Sequence, residues 1–177
     1  MKRRIALFFG YAIASFSFTS LTYAILKATK LTIYGEHGLV FGALFRMYLY
    51  HEQHPYQYLL LVALVYSGLA TVWANHVGRT QRGWQRRVSI VGVMVLTVVC
   101  SSVPGGMLWV VHDMQAGYFP GVAYFWKNLQ WGAGTGLSVG WLIFVLSIPY
   151  NVLCLLGGYW LTDHIEKMAR QGDPEKR

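Results

Sequence analysis

The side chains best suited to chemistry in this 177-residue chain are Glu36, His37, His51, Glu52, His54, His112 and Asp113. His51 and His54 are three residues apart, so on a helix they would share a face, a spacing that can hold a metal ion. His112 and Asp113 fall at the far end of a later apolar stretch and would complete such a site across a bundle. Their nitrogens and oxygens could hold a metal or orient a lipid, a quinone or a metal-linked ligand. The competing reading makes them ordinary interfacial residues, with apolar bodies and polar tips near lipid headgroups. It is the stronger one, because His51-Glu52-Gln53-His54 lacks the longer HExxH spacing that makes a zinc assignment specific.

No Ser-His-Asp set, P-loop or dinucleotide-binding turn accompanies these residues. The glycine-rich run GAGTG, starting at Gly132, follows no expected strand and so lacks the context of a phosphate site. Enzyme chemistry is therefore not the leading expectation, and the sequence names no cofactor.

The elements that would position these residues are apolar helices. The chain is 55% hydrophobic and 12% charged, where a soluble domain carries about 25% charged residues. The apolar residues come in blocks of spanning length. The expected fold is an all-α integral membrane protein, a single domain forming a four-transmembrane-helix bundle with one or two interfacial or re-entrant segments on its outer face. The expected spans are about 5–26, 56–74, 88–111 and 134–161. Residues 38–50, too short to cross and interrupted by Arg46, and the aromatic segment 117–130 are expected at the interface. Asn75 to Arg87 reads as a polar loop and 163–177 as a tail on the cytoplasmic side. Pro104-Gly105-Gly106 and Pro149 should kink or unwind their helices. A signal peptide is the weaker reading of the first span, because apolar sequence continues well past Ala12-Ile13-Ala14.

Gly132, Gly136 and Gly140 recur at intervals of four, which bares one helix face and lets another helix approach closely. Hydroxyls crowd the second half of the first span, where bonds back to the preceding turn are the ordinary outcome. The two cysteines, Cys100 and Cys154, lie inside apolar blocks and form no metal or redox motif.

The formal net charge of +8 does not imply nucleic acid, because the basic residues sit in short clusters beside apolar segments. With four alternating spans and both termini in the cytoplasm, the leader Lys2-Arg3-Arg4, the loop with Arg79, Arg82, Arg86 and Arg87, and the tail with Lys167, Arg170, Lys176 and Arg177 lie inside. Only Lys27, Lys30, Arg46 and Lys127 are left outside, as the positive-inside rule requires, most simply in a plasma (inner) membrane. Arg79, Arg82, Arg86 and Arg87 are then expected to meet anionic headgroups.

No ionisable side chain other than tyrosine and cysteine falls at the middle of an expected span, which disfavours pumps and ion-coupled carriers. The leading functional expectation is a small non-catalytic membrane protein that docks with a membrane-protein partner or with its own copies, as an accessory or regulatory subunit. The alternative is a membrane enzyme or binding protein that uses the outer histidine, carboxylate and aromatic cluster. An oligomeric transporter component comes third.

Overall fold

A computed structural model of the chain describes residues 2–33, 54–78, 80–118, 122–146 and 150–171. Among them lie five α-helices, one short 3-10 turn and no strand: α1 (Lys2–Ile33), α2 (Pro55–His76), α3 (Gly83–Gln115), the turn Val122–Tyr124, α4 (Phe125–Leu146) and α5 (Tyr150–Gln171). Three helices are long and apolar enough to cross a membrane, over Arg3–Ile25, Pro55–His76 and Gly83–Gln115. Many large apolar side chains on them face outward, including Phe9, Ile13, Val72 and Val95, as expected of helices whose surroundings are hydrocarbon.

Local sequence explains the helix ends. Pro55 begins α2, where its missing N–H costs nothing. At the other end of α2 the amides of Val77 and Gly78 both donate to the Trp73 carbonyl. Gly83, with φ of 58°, lets the chain turn into α3. Gly117, with φ of 83°, ends α3 in a Schellman motif, in which the Tyr118 amide donates to the Asp113 carbonyl and the Gly117 amide to Met114.

Several boundaries differ from the sequence reading. The polar loop is shorter than expected, because Trp84 to Arg87 already belong to the first turn of α3. α3 also continues without interruption through Pro104. Phe125 to Gln130, within the segment expected at the interface, are helical and open α4. The described part of the expected last span, 134–161, lies in α4 and α5, and residues 147–149 are outside the described residues. The kink expected at Pro149 therefore falls outside the described residues. Among the described residues three helices have spanning length and composition, and the stretch expected to form the fourth span is carried by α4 and α5, each of 22 residues.

Ring and backbone contacts fix the directions. Tyr11 meets Tyr66 and Tyr23 meets Tyr56, so α1 and α2 are antiparallel. Trp73 bonds Ser89 while Tyr58 reaches His112, so α2 and α3 are antiparallel as well. α4 lies along α3, whereas α5 packs on α1, α3 and α2. The main core gathers Leu7, Tyr11, Tyr66, Ala70, Trp73, Ala74, Ile90, Val93 and Met94. It stands at the end of the bundle where α1 begins, α2 ends and α3 begins.

Candidate functional site

The helices enclose an apolar cavity of about 180 Å³, partly open to the outside, with walls from all five of them. On α3 its lining residues run Met94, Thr97, Val98, Ser101, Ser102, Gly105, Gly106 and Trp109, the three- and four-residue steps of a single helix face. At 1.5 Å per residue that face is roughly 22 Å long. A volume of this size drawn out over such a length is a narrow slot. Ser15, Phe18 and Thr19 of α1, Ala63 and Tyr66 of α2, Thr135 and Gly136 of α4, and Cys154 and Leu155 of α5 supply other walls. No Asp, Glu, Lys, Arg or His lines it among the described residues.

Glycines let α4 form its wall. A methyl group on Gly106 would strike the Gly132 carbonyl oxygen, and one on Gly136 would strike the Ser102 carbonyl oxygen. At Gly132 a methyl group would meet the Val110 side chain at 2.6 Å and the Gly106 oxygen at 2.7 Å. Gly132 and Gly136 thus lie backbone to backbone against α3 of the same chain. Gly140 follows in the same helix, and its surroundings lie outside the described residues.

At one end of the slot Tyr58, which lines it, meets a histidine. His112 is buried, and its Nε2 donates to Gln57 Oε1 at 2.8 Å. That proton assignment leaves Nδ1 of the neutral ring to accept from the Tyr58 hydroxyl at 3.3 Å. The His54 ring lies 4.4 Å from the His112 ring, centroid to centroid. Asp113 is also buried. The structure therefore brings His54 and His112 together, but both His112 nitrogens are engaged by protein. Among the described residues no group of three or more histidine, cysteine, aspartate or glutamate side chains could hold a metal ion. Glu36, His37, His51 and Glu52 lie outside the described residues. Trp109 and Trp131, 5.2 Å apart, stand at the same end.

Beyond the opposite end, past the main core, lies a network that the sequence did not single out. Arg86 donates through Nε to Asp163 Oδ1 at 3.0 Å, through Nη2 to Glu166 Oε2 at 2.9 Å and through Nη1 to the Gly78 carbonyl at 3.0 Å. Its guanidinium carbon lies 5.1 Å from the Trp73 ring centroid, within cation–π range. The Glu166 side chain is fully buried. Thr162 donates to the Gly158 carbonyl at 2.7 Å, so its oxygen accepts the Tyr66 hydroxyl at 2.7 Å. Tyr11 donates to the Thr162 carbonyl at 3.3 Å. Burial alone would raise the Asp163 carboxyl, but hydrogen bonds from Lys167 and Arg86 outweigh it and hold that group below the usual carboxylate range.

This geometry corrects the expectation for one arginine. Arg86 is turned into the bundle and committed to carboxylates, so it does not face headgroups, whereas Arg82 and Arg87 are exposed. Arg79 lies outside the described residues. A usable sequence signal did exist. Asp163 and Glu166 are three apart on a helix that continues an apolar stretch, so both carboxylates had to face one side, and the arginine loop was the nearest source of compensating charge.

Comparison with protein-family models, with curated proteins and with solved structures finds no match to this chain.

Proposed function

We propose that this protein works without catalysis, by holding a lipid-soluble molecule between its membrane-spanning helices. The observation that carries this reading is the slot itself, a cavity of about 180 Å³ with an almost wholly apolar lining. An apolar cavity of about 150 Å³ in a soluble protein stays dry and takes up benzene, so a slot of this size in contact with lipid has no reason to stand empty. His112 stands at one end of the slot, bonded to Tyr58, which lines it, and to Gln57. The glycine face no longer argues for a separate protein partner, because α3 already covers Gly132 and Gly136.

The test is extraction of the purified protein. A lipophilic compound should survive exchange into fresh detergent and appear in near-stoichiometric amount in the wild-type extract. Ala63→Phe, which fills the slot from α2, should lose it. A bare wild-type protein, or equal retention by the filled variant, would remove the reading.

The basic end of the bundle is assigned to the cytoplasm, which is the orientation that the positive-inside rule favours. Exposed Arg82 and Arg87, beside Trp84, support contact there with anionic headgroups. A cysteine introduced at Thr80 should resist an impermeant thiol reagent applied to intact cells. Ready labelling would reverse the orientation.

A further inference from the structure

We infer that the occupant of the slot is one acyl chain of a bilayer lipid rather than a carbonyl-headed molecule such as a quinone. This inference rests on the binding role proposed above and adds the chemical class of the ligand.

The first argument comes from the slot's hydroxyls. Each hydroxyl has a single proton to give, and on the α1 and α3 walls those protons go to backbone. Ser15 donates to the Ala12 carbonyl, Thr19 to Ser15, Thr97 to Val93, Ser101 to Thr97 and Ser102 to Val99. Tyr66, also on the wall, is spent on Thr162. Along α1 and α3 the slot therefore offers a guest methyl groups, ring faces and hydroxyl oxygens that can only accept. A quinone or a carboxylate presents oxygens that need donors, and burying them unpaired is costly. A hydrocarbon chain asks for none.

Shape gives the second argument. The lining of α3 covers about four turns, roughly 22 Å out of a hydrocarbon layer of about 30 Å. A narrow passage of that length fits a chain lying along the helices better than a compact ring. It is also partly open, while exposed apolar residues on α1 and α3 place lipid around the bundle. The nearest supply of such chains is the bilayer.

Photo-crosslinking of the full chain in vesicles decides the matter. The probe is a phosphatidylcholine carrying a diazirine in one acyl chain, and residues are mapped by mass spectrometry. Bulk lipid should mark the exposed Phe9 and Ile13. A chain inside the slot should in addition mark Thr97 and Ser101, both of which are buried. Gly105→Leu should abolish the inner marks and leave the outer ones, because Gly105 lines the slot and an added Cβ there meets nothing within 4 Å. Ser101→Leu serves as a second filled variant. A short-chain benzoquinone carrying the same diazirine should fail to mark Thr97 in the wild type. Inner marks from the quinone but not from the phospholipid would overturn the acyl-chain inference and leave the binding role standing. No inner marks from either probe, together with a bare extract, would overturn both.

Discussion

Arg86 Nη2 lies 2.9 Å from Glu166 Oε2, and the Glu166 side chain has no exposure at all. This pair joins the start of α3 to the end of α5, and the remaining guanidinium nitrogens reach Asp163 and the end of α2. Removing Arg86 takes from the buried Glu166 carboxylate its ion-pair partner. Arg86→Leu should therefore cost about 3–5 kcal/mol. Adding Glu166→Gln to that variant should return part of the loss, since a neutral amide replaces the stranded carboxylate. Thermal unfolding in detergent, followed by size-exclusion chromatography, reads both effects. Equal melting temperatures for wild type and Arg86→Leu would mean that the pair does not hold α5.

Adjacent glycines on α3 provide a sharper comparison. Gly106→Ala drives a methyl group into the Gly132 carbonyl, which only backbone movement can relieve, whereas Gly105→Ala meets open space. The first should destabilise by about 1–3 kcal/mol through overpacking. The second should be neutral or stabilising by up to about 1 kcal/mol, because alanine is the better helix former. Similar stabilities for the two variants would contradict the close approach of α3 and α4.

Acid should loosen the far end of α5. The Asp163 carboxyl sits below its ordinary range in the folded protein, so its contribution to stability is fully present above the unfolded value of about 4 and is lost as pH falls through the lower, folded value. Melting temperature should therefore show no Asp163-dependent change between pH 7 and 5. Below about pH 4 the wild type should lose stability faster than Asp163→Asn. Parallel curves for the two proteins would count against the ion cluster.

At the other end, Tyr58→Phe removes the proton that His112 Nδ1 accepts. The expected loss is about 1 kcal/mol. His112→Phe takes a partner from Gln57 as well as from Tyr58, so about 1–3 kcal/mol is expected. The comparison is read by thermal unfolding, and a harmless His112→Phe would show that these bonds do not hold that end of the bundle.

What the sequence revealed, and what it did not, follows from the range of the forces involved. Apolar blocks report helices because hydropathy is summed along the chain, so α1, α2 and α3 were legible. The glycine interval in α4 likewise records a local demand for close approach, although it does not identify the neighbouring helix. Arg86 and Glu166 were misread for the opposite reason. Each looks like an ordinary charge beside an apolar segment, and only the docking of α5 brings them together. The slot was invisible for the same reason, since Thr97 and Ser101 on α3 and Thr19 on α1 become one wall only after the helices have assembled.

α3 is 33 residues long, about 50 Å from end to end, and it must sit in a hydrocarbon layer of about 30 Å. Arg86 near its beginning and His112 near its finish are carried on one continuous helix, so a change in bilayer thickness bears on both. In a thinner bilayer the helix must lean further or project further, and both groups would move with it. The helix thus fixes the spacing of the two polar groups, and the width of the surrounding lipid would set how both stand against the water on either side.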